Sequence, residues 1–407
     1  MTDPALTRGL TQRRLSRRAL LRAAGGAAGV LAAGPLLAAC GDTAKPVAPS
    51  VGDAAWWASQ PRTGELVFAN WPLYIDYQNW LKDRPSLNQF SRASGITVTY
   101  EEVITSNEKF YQRIAAQLQQ GLPTGYDLVV LTNGWRLTQL ITSGWLVPLD
   151  HGRLPNFAKY AGALFKSPAY DPGNRYTVAW QSGFTGIAYD RRKTGRRITS
   201  IKDLWDPRFK DRVGMMSDID DLGSAGLLYL GIDPTTSTVD DWRAAGQALQ
   251  RQKAQGIVRH YYDQSYITAL ENGRIWISQA WSGDVFQARA SGYPHLEFVV
   301  PEEGMMHWTD NLMIPMYASN PASAITWMNA YYDPAVAAEV ADWVNYITPV
   351  PAARDVILNS LDDPAVAHSP LVFPNAGMTA RARDYRVFKD QSEFEIWNSI
   401  FVPIIAT

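Results

Sequence analysis

Hydrophobic and polar positions in the first part of the chain alternate between two periods, one typical of β-strands and one typical of α-helices. By this pattern we predict strands at residues 65–70, 95–100 and 126–131. The third predicted strand is apolar enough, apart from Asp127, to be buried on both faces. Before it, Phe110, Ile114 and Leu118 recur at helical spacing within residues 107–119. Strand and helix in alternation predict an α/β domain with a mainly parallel sheet.

The same alternation returns in the second half of the chain without any internal sequence repeat. Residues 212–216 and 274–278 are predicted strands, and residues 239–254 are a predicted helix. The sequence therefore predicts two α/β lobes. In open parallel sheets, ligands bind in the loops that follow the carboxyl ends of strands. Here those loops are residues 71–74, 132–135, 217–221 and 281–284.

The four loops are rich in aromatic and acidic residues and contain no Lys, Arg or His, although Arg136 lies next to one of them. Indole faces attract ammonium groups by cation–π contact, at roughly 0.5–2 kcal/mol each. Carboxylates add charge-assisted hydrogen bonds to the same groups. The composition of the loops therefore predicts a site for a small organic cation.

The beginning of the chain has the composition of an export signal. A basic stretch at residues 11–22 precedes an uncharged run that ends at Cys40, the only cysteine. The letters SRRALL at residues 16–21 resemble a twin-arginine motif, and LAAC at residues 37–40 resembles a lipobox. We therefore predict a signal peptide over residues 1–39, a lipid anchor on Cys40, and a protein held outside the cytoplasmic membrane, in the periplasm or at the cell surface.

Removal of the signal peptide would change the formal net charge from −1 to −6, because that segment holds six Arg and one Asp. An acidic mature chain gives no support to nucleic-acid binding. No second apolar run is long enough to predict a membrane span. Residues 41–62 are rich in small residues and Pro and predict a flexible tether. Within it, Trp56 and Trp57 could either dock on the body or lie among lipid headgroups.

An ordered series of short motifs resembles the spermidine/putrescine-binding proteins of bacterial ABC importers, over about residues 65–355. The motifs include NWPLYI at 70–75, SNE at 106–108, GYDLVV at 125–130, TGIAYD at 185–190, DLWDPRFKDRV at 203–213, AWSGD at 280–284, WTDNLMIP at 308–315 and YITP at 346–349. The resemblance implies a two-lobe periplasmic-binding-protein fold of type II, in which hinge strands join lobes that close over a ligand. It also implies an ABC permease and its ATPase as partners.

On this resemblance the chain divides into a tether and two discontinuous lobes. The predicted segments are the tether at 40–63, lobe 1 at 64–182 with 311–346, and lobe 2 at 183–310 with 347–407. The resemblance, carried over position by position, implies ligand contacts from Trp71, Tyr74, Thr132, Asn133, Trp135, Asp218, Asp221, Trp281, Asp284, Trp308, Asp310 and Tyr346.

Several of these positions can also be explained without a role in ligand binding or with a different alignment. Gly134 aligns with the family pattern nearly as well as Trp135 does. Asp218, Asp221 and Asp284 also suit helix caps, and Tyr346 also suits hinge packing.

One position departs from the family pattern in a way that bears on the ligand. Leu73 replaces a carboxylate that the family places there, and Pro72 replaces a hydroxyl. The acidic end of the site would remain, while the opposite end becomes apolar. The ligand class therefore stays open between a polyamine and an amine with one cationic end and one less polar end, such as a monoamine or an acylated polyamine.

Other classes of function fit the sequence less well. The five His are scattered, and there is no HExxH motif or Cys/His metal spacing, so we predict no metal and no cofactor. Neither a GxSxG elbow nor a phosphate-cradling glycine loop occurs. Paired acids could serve a glycosidase, but the motifs around them resemble those of a binding protein, so we predict no enzyme.

A ferric-ion binder would use tyrosine pairs such as Tyr261–Tyr262 or Tyr331–Tyr332, but no suitable His and Asp accompany them. A same-fold binder of another ligand and a sensor stay open as alternatives.

Overall fold

The computed structural model describes residues 50–78 and 83–406, and ten strands within these residues form one sheet. They are β1 (Glu65–Asn70), β2 (Thr97–Glu102), β3 (Leu128–Thr132), β4 (Thr177–Asp190), β5 (Val213–Met216), β6 (Val258–Tyr262), β7 (Ile277–Trp281), β8 (Leu296–Val299), β9 (Met305–Met313) and β10 (Ala382–Asp384). The strand order is β2-β1-β3-β9-β4-β7-β5-β6, with β10 beside β9 and β8 beside β4.

Helices cover the sheet and connect its strands. In the described part of the chain they are α1 (Ala54–Ser59), α2 (Pro85–Ser94), α3 (Asn107–Gln119), α4 (Trp135–Thr142), α5 (Pro155–Tyr160), α6 (Arg191–Thr194), α7 (Ile219–Tyr229), α8 (Val239–Ala254), α9 (Tyr266–Glu271), α10 (Ser282–Ala290), α11 (Pro321–Tyr331), α12 (Pro334–Val344), α13 (Ala353–Asn359), α14 (Pro364–Ala367), α15 (Ala376–Thr379) and α16 (Gln391–Ile405).

Two parallel half-sheets are joined through two long antiparallel strands. Strands β1, β2 and β3 pair in parallel on one side, and β5, β6 and β7 pair in parallel on the other. Between them β9 pairs antiparallel with both β3 and β4, and β4 pairs antiparallel with β7. Every residue of β4 and β9 is buried. The register between these two strands shifts between Ala179 and Gln181, within the central part of the sheet.

The predicted strands at residues 65–70, 95–100, 126–131 and 212–216 and the two predicted helices are confirmed to within two residues. Both helices start at side-chain caps: Ser106 accepts a hydrogen bond from the Lys109 N–H, and Thr238 forms a capping box with Asp241.

The strand predicted at residues 274–278 begins three residues later, because a turn at Gly273 (φ +69°) holds Arg274 and Ile275 against α9. The shift places Trp281 at the end of β7. The predicted lobe boundaries themselves stay a prediction.

The segment around Trp57 belongs to the body of the molecule. The Trp57 side chain is 1% exposed, and its indole Nε1–H donates to the Pro148 carbonyl at 3.1 Å. Arg153 donates to the Trp57 carbonyl at 3.0 Å and lies over its ring. Of the two outcomes that the sequence left open, Trp57 therefore docks on the body, while Trp56 is half-buried.

The predicted signal peptide and Cys40 lie outside the described residues. Within residues 50–78 and 83–406, no helix combines the length and the apolar character that crossing a membrane requires.

Replacement of Trp57 by Ala should lower the free energy of unfolding by about 3 kcal/mol, because removal of the buried indole would leave a cavity under α1. Urea denaturation followed by circular dichroism measures this. Trp56→Ala is the matched control and should cost less, since its ring is half-buried. If Trp57→Ala leaves the urea midpoint unchanged, α1 does not contribute to the cooperative unit.

Candidate functional site

The carboxyl ends of β3 and β7 meet the central strands near each other. Thr132, the last residue of β3, pairs with Asp310 of β9. Trp281, the last residue of β7, pairs with Thr185 of β4, which in turn pairs with Met306 of β9. Positions 306 and 310 are four residues apart on one strand, or roughly 13 Å. The loops that follow the strands of both half-sheets therefore surround one region.

Asp310 is a buried carboxylate of the central strand β9. The Tyr74 hydroxyl donates to its Oδ2 and the Thr132 hydroxyl donates to its Oδ1, each at 2.6 Å. No ion pair joins Asp310 to a Lys, Arg or His in the described part of the chain. Burial raises the pKa of Asp310 to about 6, although the two hydroxyl donors oppose the shift.

Asp284, in the first turn of α10, is a second buried carboxylate. It accepts hydrogen bonds from the Tyr266 hydroxyl at 2.8 Å and from the Tyr346 hydroxyl at 2.9 Å. The Tyr346 ring in turn meets the ring of Tyr74 at 6.0 Å and that of Trp308 at 5.2 Å, both edge-on. Burial raises the pKa of Asp284. Asp284 and Asp310 are thus joined through touching aromatic rings.

Asp221, in the first turn of α7, is the third buried carboxylate. The Trp281 indole Nε1–H donates to its Oδ2 at 3.0 Å, and the Tyr385 hydroxyl donates to its Oδ1 at 2.5 Å. Burial first and the nearby Asp218 second raise the pKa of Asp221 to about 7. The Trp281 backbone N–H also donates to the Tyr266 hydroxyl at 2.9 Å. Through that contact all three carboxylates belong to one network.

Two glycines make room for the rings of this network. A Cβ on Gly183 of β4 would clash with the indole of Trp308, which faces it across the strand pair. A Cβ on Gly283 would lie 2.6 Å from the Tyr346 ring. Real Cβ atoms do not approach rings so closely, so side chains at either position would displace the aromatic group.

The structure brings eight of the predicted site residues into this network: Tyr74, Thr132, Asp221, Trp281, Asp284, Trp308, Asp310 and Tyr346. Asn133 lies beside it, because its backbone and side chain both bond the backbone of Thr309. Trp71 is half-buried and packs on the core next to β1.

Two predicted site residues have other surroundings. Asp218 is exposed and caps α7 by accepting from the Asp220 and Asp221 N–H groups, so the capping alternative is confirmed for it. Trp135 is buried against Phe394, with the rings stacked at 5.2 Å. Ligand contact by any of the twelve residues stays a prediction.

Sequence reasoning did not single out Tyr266 and Tyr385 as part of the site. Tyr266 lies at the start of a short helix, and Tyr385 lies beyond the stretch that carries the family motifs. Neither has a local signal that sets it apart from an ordinary core tyrosine.

Two parallel half-sheets that meet through antiparallel crossing strands, with a buried aromatic and acidic network at the junction, define a ligand-binding protein of the periplasmic type. The family model for bacterial extracellular solute-binding proteins matches residues 86–374. The chain therefore belongs to that family of exported solute-binding proteins.

Relatives of known function are similar over most of their length. The spermidine/putrescine-binding periplasmic protein of Salmonella typhimurium is 31% identical over 313 residues, which cover 76% of this chain and 83% of the relative. The putrescine-binding periplasmic protein of Escherichia coli is 29% identical over 309 residues, which cover 72% of this chain and 80% of the relative.

Solved structures show the same fold. A spermidine/putrescine ABC transporter substrate-binding protein from Streptococcus pneumoniae superposes with a TM-score of 0.70 at 23% identity, covering 84% of this chain and 98% of its own. A lipoprotein of Treponema pallidum gives a TM-score of 0.69 at 19% identity, covering 84% and 99%. The predicted two-lobe periplasmic-binding-protein fold is confirmed.

The raised pKa of Asp310 predicts how the ligand-free protein responds to pH. Between its ordinary pKa near 4 and its folded pKa of about 6, the folded chain keeps a proton that the unfolded chain has released. The stability from this group is therefore complete below pH 4 and is lost as the pH rises through 6, by an amount on the order of 3 kcal/mol.

Asp310→Asn removes the titration, so the difference in unfolding free energy between variant and wild type should grow in favour of the variant from pH 4 to pH 7. Urea titrations at each pH measure that difference, with the exposed Asp240→Asn as control. A difference that does not vary with pH would contradict the assignment.

Proposed function

We propose that this chain is the substrate-binding lipoprotein of an ABC importer. It captures a polyamine or a related organic cation between its two halves and delivers it to a membrane permease. One observation carries the proposal: Asp221, Asp284 and Asp310 are buried in one network, and none of them pairs with a Lys or Arg among residues 50–78 and 83–406. The relatives whose names specify polyamines support the same ligand class.

A bound ammonium group supplies the charge that this network lacks. Buried carboxylates are costly when unpaired, and a hydrogen bond to a charged group contributes about 1.5–3 kcal/mol. The rings of Trp308 and Tyr346 add cation–π attraction beside Asp310 and Asp284. Since the contributing groups come from both half-sheets, a ligand that touches all of them favours the closed form by its differential affinity for that form.

The first forty residues support export and lipid attachment at Cys40. The structural similarity to a Treponema pallidum lipoprotein agrees with an anchored member of the family. In this arrangement the lipid on Cys40 keeps the loaded protein close to the permease and its ATPase.

A binding role also fits better than catalysis. Ser182, His307 and Asp384 form a hydrogen-bonded line next to the network, with 2.7 Å from Ser182 Oγ to His307 Nε2 and 2.8 Å from His307 Nδ1 to Asp384 Oδ1. However, Ser182 is fully buried, and its hydroxyl lies 2.6 Å from the Trp308 carbonyl, to which it donates. A nucleophile must be free to reach a substrate, so we interpret this line as a structural link between β4, β9 and β10.

The surroundings of Leu73 favour a ligand with one strongly cationic end. The Leu73 side chain is 44% exposed, and its backbone N–H donates to Glu102 at 3.2 Å. Glu102 is already ion-paired with Arg84 at 2.9 Å. The carboxylate that accepts from Leu73 is therefore neutralised within the protein, and a second ammonium group at this end would compete with Arg84 for it.

Asp310→Asn should weaken amine binding at least tenfold, because it removes the charge that pairs with the ammonium group while keeping the side-chain shape. Isothermal titration calorimetry with putrescine, spermidine and butylamine measures the loss. Asp240→Asn, which removes an exposed carboxylate of α8, should bind as the wild type does. If Asp310→Asn binds every amine as tightly as the wild type, the carboxylate network is not the ligand site.

Leu73→Glu should improve the affinity for spermidine relative to butylamine, because it restores a carboxylate at the apolar end. Competition calorimetry with the two amines gives the ratio of dissociation constants. A ratio equal to that of the wild type would place Leu73 outside the ligand cleft.

A further inference from the structure

The segment from Tyr385 to Phe394 reaches the site from beyond the stretch that the family model matches, which ends at residue 374. It follows β10 and leads into α16. At its start, the Tyr385 hydroxyl donates to Asp221 at 2.5 Å, and the Tyr385 side chain is 9% exposed. One end of the segment is thus part of the carboxylate network.

The other end of the segment contacts the opposite half of the molecule. Phe394 stacks on Trp135 with ring centroids 5.2 Å apart and an interplanar angle of 20°. Phe388 meets the same indole edge-on at 6.2 Å, and Gln391 accepts a hydrogen bond from Gln139 at 3.2 Å. Trp135 and Gln139 belong to α4, the helix that directly follows β3 in the first half-sheet.

Helix α16, which contains Phe394, is packed on the second half of the molecule. Its Trp397 ring lies 5.3 Å from Trp242 of α8, and it fills the space beside Gly223 of α7, where a Cβ would clash. Phe394 therefore reaches across from the second half to the first.

An internal ion pair holds the two ends of the segment together. Arg386 bonds Glu393 at 2.7 Å, and both side chains are largely buried, with 14% and 13% exposed. Glu393 also accepts from the Lys389 backbone N–H at 2.7 Å. Because the loop after Tyr385 is fastened to the start of α16, Tyr385 and Phe394 are expected to move together.

We propose that residues 385–394 form a clasp that joins the two halves across the cleft, and that Tyr385 is a positioning residue for Asp221 within it. The proposal rests on the proposed function, since it treats Asp221 as part of the ligand site. Separation of the halves would break the Trp135–Phe394 stack. The clasp therefore stabilises the closed form even without ligand, and it raises the affinity for every ligand by the same factor.

The first test removes the stack in the full chain. Phe394→Ala should enlarge the radius of gyration of the ligand-free protein in small-angle X-ray scattering, and saturating putrescine should restore the wild-type value. Affinities for putrescine, spermidine and butylamine should all fall by a common factor of about ten. Val402→Ala, on an exposed position of the same helix, is the matched control and should change neither quantity.

Phe394→Leu keeps an apolar side chain and replaces the alanine variant if that variant does not fold. It should change the radius of gyration and the amine affinities in the same direction. Phe394→Tyr keeps an aromatic ring and should give wild-type values of both. An unchanged radius of gyration in Phe394→Leu, with folding intact, would overturn the clasp. So would a loss of affinity for only one amine. If the wild type binds none of the amines, the proposed function fails. The comparison of the radius of gyration between the ligand-free wild type and the Phe394 variants still tests whether the clasp exists.

The second test concerns Tyr385. Its hydrogen bond opposes the rise in the pKa of Asp221, so Tyr385→Phe should move the acidic midpoint of the affinity–pH profile for putrescine to higher pH. Tyr189→Phe removes a hydroxyl that donates to Glu297, in the strand pair β4–β8, and should leave the profile in place. A profile in Tyr385→Phe that coincides with that of the wild type would contradict the positioning role.

Discussion

Burial of carboxylates without a partner cation is the constraint on which the site depends. A Lys or Arg beside Asp310 or Asp284 would neutralise the carboxylate, but it would also compete with a cationic ligand for the same oxygens. The chain instead surrounds these groups with neutral donors, the hydroxyls of Tyr74, Thr132 and Tyr346. Such donors orient the carboxylate oxygens and leave the negative charge uncompensated. Burial raises the pKa of Asp310 and of Asp284, and the hydroxyl donors offset that rise only in part.

The three carboxylates are not equivalent, because they stand on different elements. Asp221 and Asp284 lie in the first turns of α7 and α10, where the helix dipole favours negative charge. Asp310 lies within the central strand β9 and has no such support from a helix terminus. In the described part of the chain its carboxylate is held by the hydroxyls of Tyr74 and Thr132 alone. It also lies on one of the two strands that connect the half-sheets, so a ligand held by Asp310 acts directly on the junction.

Much of the fold could be predicted from the sequence, because strand and helix periods and the ordered motifs report local structure. The site was predicted only in part. Tyr74, Trp308 and Asp310 lie inside motifs and were found, whereas Tyr385 comes into contact with Asp221 through tertiary packing that leaves no trace in the local pattern. Trp135 is the opposite case, a residue that the sequence places in the site and the structure buries against another side chain. Its position after β3 predicts a place at the cleft, but the sequence does not reveal that Phe394, far along the chain, stacks on it.

The motif AWSGD shows why an ordered set of residues is more informative than any single one. Trp281 donates to Asp221, the Ser282 hydroxyl oxygen accepts the Phe184 backbone N–H at 3.2 Å, and Asp284 accepts from Tyr346. Gly283 contributes by lacking a Cβ, because this lets the Tyr346 ring approach its backbone. Any side chain at this position would displace that ring and break its bond to Asp284. The residues of the motif therefore serve one arrangement of the site: some of them form its hydrogen bonds, and the glycine leaves room for a ring.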